Sequence, residues 1–174
     1  LHLSLRRQRQ MCIRDSLYAC LSFDDKLSQK IERLYVYARM RSDEDTTVQR
    51  YQDMFQGLSR VVRKGYIPVL AHVERYVCLY QSVERIEELR DLGIVIQMNT
   101  ECFFQRIPDV RMVWYRKLMK AGYVQLISTD AHGADRKPPR MRKAVEWLER
   151  HCDQGLVERV LYENPARLLE GRIL

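Results

Sequence analysis

Apolar positions along the chain recur with two spacings, which alternate from about residue 34 onward. Residues 34–38 have the short apolar and aromatic pattern of a strand, and the apolar residues of segment 48–62 recur at helical spacing. Thr46 or Thr47 is expected to cap this helix, and Gly65 is expected to close it.

Three further apolar runs, at residues 66–72, 94–98 and 124–128, are predicted strands, with helical patterns between them at 82–92 and 109–121. The distance from one strand to the next is roughly thirty residues, the length of a strand plus a crossover helix. This alternation predicts an α/β fold with a parallel sheet.

The tail is predicted to contain three helical pieces, at residues 139–150, 155–162 and 165–169, with Asn164 as the N-cap of the last one. The chain has 174 residues, of which 46% are hydrophobic, and this is enough for one domain with a real core. It has no apolar run long enough to span a bilayer and no signal-peptide pattern, so we expect a soluble, cytoplasmic protein without membrane insertion.

The net charge of +7 is distorted by the N-terminal residues, which carry a larger share of it than their number would give. Residues 1–16 hold four arginines and one aspartate, which give +3, and they follow neither spacing. They resemble translated adapter sequence, so we treat 1–16 as a doubtful N-terminal arm and 17–174 as the domain. The basic residues that account for the remaining +4 form no stripe interleaved with aromatic residues, which argues against a nucleic-acid partner.

The five cysteines are scattered along the chain and are expected to be reduced thiols.

Polar residues gather where the predicted strands end, and in parallel α/β folds such ends face one shared crevice. These residues are His72 and Arg75, Gln97 and Asn99, and Asp130 and His132.

Asp130 and His132 are two positions apart, so in an extended chain both side chains reach one ion. His72 would add a second imidazole, and a carboxylate with imidazoles is the ligand set of Mn, Fe or Zn in hydrolytic sites. The alternative for His72 is a satisfied core histidine.

Arg75 suits the binding of a phosphate, because a guanidinium binds phosphate oxygens in a bidentate manner. Its alternative is a surface ion pair with Glu74 or Glu84. Asn99 is expected either to contact the same phosphate or to cap a loop.

Four motifs occur in an order that resembles the capsule-type protein-tyrosine phosphatases of the bacterial PHP (polymerase and histidinol phosphatase) superfamily. They are G-Y-I-P-V-L-A-H-V-E-R-Y from Gly65, Q-M-N-T from Gln97, S-T-D-A-H from Ser128 and N-P-A-R-L-L from Asn164. The resemblance covers roughly residues 45–174.

The resemblance implies the C-terminal portion of an incomplete, distorted (β/α)7 PHP-type barrel with parallel strands. It also implies up to three divalent metal ions, commonly manganese, and a phosphatase acting on the phosphotyrosine tail of a bacterial tyrosine kinase that controls capsule and exopolysaccharide biosynthesis. In that scheme His72, Asp130 and His132 are metal ligands at the catalytic centre, and Arg75 holds the phosphate.

Three departures from the family pattern change these expectations. The family's first strand carries an H-x-H motif with no counterpart here, so we expect the chain as it stands to be metal-poor or inactive. A family glutamate ligand matches Glu44 in an ungapped alignment but Arg39 when the strands are matched. Val73 replaces the usual proline and keeps the extended preference.

Three other functions remain open at the level of sequence. The chain is compatible with a PHP phosphatase for a small phosphate ester, with a non-catalytic regulator that binds phosphotyrosine through Arg75, and with an inactive fragment.

Overall fold

Four parallel strands form the centre of the described part of the chain in the computed structural model. The structure describes residues 35–38, 47–104, 110–131, 139–172 and 174. The predicted N-terminal arm lies outside these residues.

The helices and strands follow the predicted alternation closely. In chain order they are β1 (Tyr35–Ala38), α1 (Thr47–Arg63), β2 (Ile67–Leu70), two 3₁₀ turns (Val73–Arg75 and Val77–Leu79), α2 (Val83–Asp91), β3 (Val95–Asn99), a 3₁₀ turn (Thr100–Phe103), α3 (Val110–Lys120), β4 (Leu126–Ser128), α4 (Met141–His151), α5 (Gln154–Glu158), a π-helical turn (Arg159–Glu163) and α6 (Asn164–Leu169).

The sheet order is β1-β2-β3-β4, and each neighbouring pair is parallel. Each strand therefore lies beside the strand that follows it in the chain, and the predicted parallel α/β fold is confirmed. A parallel neighbour requires a crossover connection, which α1 and α2 provide for β2 and β3, and α3 for β4.

Helices α1, α2 and α3 end in the same way, just before the chain enters the next strand. Gly65, Gly93 and Gly122 follow the three helices with φ angles of 84°, 84° and 76°. At the second of them, Ile94 N donates to Leu89 O at 3.0 Å, the 6→1 bond of a Schellman motif. Glycine is favoured here because it adopts positive φ without the steric cost of a Cβ.

One face of the sheet packs against the helices. Leu70, Ile96, Met98 and Ile127 alternate with residues of the other face and belong to the main apolar cluster. Burial of this face on the helices produces most of the core.

The opposite face changes character from one end of the strands to the other. At its amino-terminal side Val69, Val95 and Leu126 form a second apolar cluster, covered by Leu168 and Leu174. Polar residues follow on the same face toward the carboxyl ends, and they are Gln97, Asn99 and Ser128. Polar groups are therefore concentrated at one rim of the sheet.

The predicted helices of the tail are confirmed, but the N-cap role of Asn164 is wrong. Asn164 has helical angles, φ −65° and ψ −43°, because the chain runs through the π-helical turn into α6 without a break. Its side-chain Nδ2 instead donates to Gln125 O at 2.9 Å and so fastens the tail beside β4. None of the helices in the described ranges has the length and apolar character needed to cross a membrane.

Candidate functional site

His72 is the first residue after the end of β2 with a polar side chain, and its backbone is left-handed, with φ 57° and ψ 55°. The residue is buried, and its N–H donates to Gln97 Oε1 at 2.9 Å. A left-handed non-glycine residue is uncommon and costs roughly 1–3 kcal/mol, so the surrounding contacts must hold it in place.

Gln97 connects the carboxyl ends of three neighbouring strands. Besides accepting from the His72 backbone, its Nε2 donates to Ser128 Oγ at 2.9 Å and to Met98 O at 2.7 Å. The sequence placed Gln97 among the polar residues at the strand ends and within a motif, but indicated no role for it. A buried amide in an otherwise apolar strand is the signal that indicates it, because such a group needs hydrogen-bond partners.

Asp130 faces His72 across the rim of the sheet. Its Oδ1 lies 3.5 Å from His72 Nε2, and its Oδ2 accepts from Arg75 Nη2 at 3.1 Å. The structure thus brings together three of the residues predicted from sequence: His72, Asp130 and Arg75. Their side chains come from the ends of β2 and β4, which β3 separates in the sheet.

The backbone at Asp130 differs from the expectation of an extended chain through Asp130 and His132. Asp130 has φ 49°, in the left-handed region, so the chain turns at this residue, and the expectation of a strand-like projection is wrong there. Aspartate tolerates this conformation better than most residues because its short side chain bonds locally. His132 and Glu44 lie outside the described residues, and their metal-ligand roles stay predictions.

Arg75 pairs with Asp130 rather than with Glu74 or Glu84, the partners of the alternative interpretation. Its side chain is 43% exposed, whereas that of Asp130 is 18% exposed. A guanidinium has five N–H donors, so a single bond to Asp130 leaves donors that an anion approaching from solvent can reach.

Asn99 caps a turn through its side chain. Its Oδ1 accepts from Glu101 N at 3.2 Å, at the start of the 3₁₀ turn that follows β3. This is the capping alternative predicted from the sequence. A contact between Asn99 and substrate stays a prediction.

Glu74 is a site residue that sequence reasoning missed. Its Oε1 lies 3.6 Å from His72 Nδ1, and its Oε2 accepts from Asn99 N at 3.2 Å. His72 Nδ1 is fully buried and has no hydrogen-bond partner among the described residues. The motif A-H-V-E-R-Y contains the signal, since a carboxylate two residues after a histidine can reach its ring from a 3₁₀ turn.

The negative charge of Glu74 also affects buried groups behind the site. Burial, and after it the Glu74 charge, raises the pKa of the Cys102 thiol and the pKa of the Tyr115 phenol above their ordinary values. Both residues are almost completely buried, so a carboxylate beside them is in a weakly screened environment.

The donor atoms of His72 and Asp130 fit part of a metal site. Two atoms that bind one ion at about 2.0–2.2 Å lie roughly 3 to 3.5 Å from each other, and His72 Nε2 and Asp130 Oδ1 have this separation. Imidazole nitrogen and carboxylate oxygen suit Mn, Fe or Zn. Within the described segments no group of three or more His, Cys, Asp or Glu side chains could hold a metal ion, so these two donors form at most part of a ligand set.

A family model described as capsular polysaccharide synthesis, CpsB/CapC, matches residues 36–170. The chain belongs to the CpsB/CapC family. The match includes the ends of β2, β3 and β4, so the residues of the candidate site lie within the family region. The resemblance to capsule-type phosphatases is thereby confirmed.

Similarity to individual proteins covers parts of the chain. Tyrosine-protein phosphatase CpsB of Streptococcus pneumoniae is 26% identical over 129 residues, which are 71% of this chain and 53% of that protein. The chain therefore spans about half the length of the curated relatives of this kind. A stretch of 40 residues, 23% of the chain, is 48% identical to 6% of the oligopeptidase PepF of Bacillus subtilis.

The fold has a counterpart among solved structures. A chain from crystal structures of YwqE of Bacillus subtilis and CpsB of Streptococcus pneumoniae, described as metal-dependent tyrosine phosphatases, superposes with a TM-score of 0.65. It is 22% identical, and the match covers 82% of this chain and 54% of the other. At this identity the likeness establishes the shared fold and nothing about the chemistry.

Proposed function

We propose that this chain is part of a metal-dependent protein-tyrosine phosphatase that acts in capsule and exopolysaccharide synthesis. The observation that carries the proposal is the convergence of His72 and Asp130, at 3.5 Å, with Arg75 on the second oxygen of the same carboxylate. Family membership and the name of the S. pneumoniae relative support the phosphotyrosine assignment.

The complete protein would have a PHP-type (β/α)7 barrel. Sequential order of parallel strands supports this, because a doubly wound sheet reverses its strand order whereas a barrel does not. The gradient from an apolar to a polar face toward the carboxyl ends supports it as well, since barrel enzymes have their sites at that end.

A divalent ion, for which we propose manganese, would be bound by His72, Asp130 and His132. Glu44 would be a ligand of further metal ions in the same centre. The chemistry expected of the metal is Lewis-acid activation of water and neutralisation of phosphate charge. Arg75 would bind the phosphate oxygens, and the bond from Asp130 would hold its guanidinium in the orientation needed for that contact.

The substrate would be the phosphotyrosine tail of a bacterial tyrosine kinase, and the reaction would take place in the cytoplasm. Exposed donors of Arg75 at an open rim are suited to a side chain presented by another protein.

The test adds the family's H-x-H strand to the N-terminus and measures phosphate release with Mn²⁺ from a phosphotyrosine peptide, a phosphoserine peptide and a small phosphomonoester. We expect preference for the phosphotyrosine peptide, and a loss of roughly 10- to 100-fold in kcat/KM in Arg75→Lys, which keeps the positive charge but removes the bidentate guanidinium contact. Arg142→Lys, on the exposed face of α4, is the matched control. Faster release from the small ester would overturn the tyrosine assignment, and an unchanged rate in Arg75→Lys would overturn the role of that residue.

A further inference from the structure

The carboxylate of Glu74 lies between two elements of the site and contacts both. Glu74 is in the 3₁₀ turn that begins immediately after His72, and its side chain is only 9% exposed. One of its oxygens accepts from the backbone N–H of Asn99 at 3.2 Å, at the end of β3. This bond fixes the orientation of the carboxylate.

The second oxygen faces the ring of His72 on the side away from Asp130. Glu74 Oε1 is 3.6 Å from Nδ1, while Nε2 is 3.5 Å from Asp130 Oδ1. The separation at Nδ1 exceeds an ordinary hydrogen bond by about 0.5 Å, and a small rotation of either side chain would close it. Each nitrogen of this imidazole therefore has its own carboxylate.

Burial makes the position of this charge costly unless polar partners offset it. A carboxylate removed from water requires hydrogen bonds or a donor nearby, and the neighbours Cys102 and Tyr115 are almost completely buried. The bond from Asn99 N satisfies one oxygen. A proton on His72 Nδ1 would satisfy the other, and it would also give that buried nitrogen a partner.

We propose that Glu74 is a positioning residue that selects the Nδ1–H tautomer of His72 and so leaves the Nε2 lone pair free on the side of Asp130. Carboxylates that orient a histidine in this way are common behind metal-binding imidazoles, where the second nitrogen holds the metal. The consequence for metal binding depends on the proposed function, whereas the choice of tautomer does not.

The experiment observes the ring nitrogens of His72 directly, by ¹⁵N–¹H NMR of the full chain at about pH 8.5, where a free imidazole is neutral. Comparison with His72→Asn identifies its signals among the four histidines, and asparagine tolerates the left-handed backbone. We expect the proton on Nδ1. A proton on Nε2 in the unsubstituted chain overturns the proposal, whether or not any variant folds.

Glu74→Gln separates orientation of the ring from a purely structural role. The amide oxygen still accepts from Asn99 N, but the amide NH₂ now faces Nδ1 and donates to it, so the tautomer should switch to Nε2–H. Glu149→Gln, an exposed change on α4, should leave the tautomer unchanged. A Glu74→Gln chain that keeps Nδ1–H would show that the carboxylate merely ties the turn to β3.

Calorimetric titration with Mn²⁺ alone, on the protein with the family's H-x-H strand added to its N-terminus, tests the connection to the metal. If the proposed function holds, Glu74→Gln should weaken Mn²⁺ binding by roughly 10- to 100-fold relative to Glu149→Gln. A tautomer that switches in a chain with no measurable Mn²⁺ affinity would support the positioning role and count against the metal-dependent function. The two proposals can therefore fail separately.

Discussion

Replacement of Gln97 by methionine removes the hydrogen bonds that join the strand ends while it nearly preserves the length and shape of the side chain. Gln97 is 2% exposed, and its amide accepts from His72 N and donates to Ser128 Oγ and Met98 O. The substitution therefore leaves the His72 N–H without its acceptor in the interior, next to a left-handed backbone.

The expected loss of stability follows from these contacts. A buried N–H left without an acceptor costs about 1–3 kcal/mol. Loss of the two hydrogen bonds that the Gln97 amide donates costs about 1 kcal/mol in total, because Ser128 is partly exposed and water can replace its partner. Burial of the more apolar methionine returns roughly 1 kcal/mol. The net loss is about 2 kcal/mol, which lowers the melting temperature of a chain of this length by roughly 4–8 °C.

Gln125→Met is the matched control, because Gln125 Oε1 also accepts from a strand N–H, that of Ile96, at 2.9 Å. Gln125 lines a cavity of about 410 Å³ at the other end of the sheet, from which water can replace the lost bond, so we expect a loss of at most about 1 kcal/mol. Urea denaturation followed by circular dichroism measures both variants, and amide hydrogen exchange should accelerate at His72 in Gln97→Met alone. Equal losses in the two variants would refute the assignment of Gln97 as the buried connection.

Two further predictions concern the ends of α2 and the groups behind the site. Gly93→Ala should lower the free energy of unfolding by roughly 1–2 kcal/mol, because no atom obstructs a Cβ there and the penalty comes from the φ of 84° alone. Gly93→Asn should lower it by less, because asparagine tolerates positive φ better than alanine. Equal urea midpoints for the two variants would contradict this prediction. Because the pKa values of Cys102 and Tyr115 are raised in the folded chain, the unfolded chain loses these protons first as the pH rises, and the free energy of unfolding should fall above about pH 8.5. Cys102→Ala should make the first part of this fall less steep. A free energy of unfolding that stays constant to about pH 10 would contradict the prediction.

The fold follows from the sequence because strand and helix signals along this chain are local and agree with one another. The apolar spacing of segment 48–62, with Gly65 after it, predicts α1 within one or two residues. Asn164 shows where local signals fail. An Asn-Pro pair is typical of a helix start, yet its side chain bonds Gln125 O across 39 positions, and the chain passes through a π-helical turn instead.

The candidate site is predictable only in part, for a related reason. That His72, Arg75 and Asp130 meet follows from the rule that parallel strands end at one rim. Which atoms face each other depends on the left-handed residues and on Gln97 and Glu74, whose partners lie on neighbouring strands. The A-H-V-E-R-Y motif places Glu74 near His72, but no spacing within one segment encodes the bonds that cross from one strand to the next.

The backbone at the site supports a functional interpretation independently of the family. Among the described residues other than glycine, only His72, Gln81 and Asp130 have positive φ. Glycine would adopt these angles with less strain, so folding alone gives no reason for an imidazole or a carboxylate there. Gln81 is exposed and its side chain bonds the adjacent Tyr80, as in an ordinary turn. His72 and Asp130 instead face each other across the rim. The strained backbone at these two residues therefore serves to position their side chains.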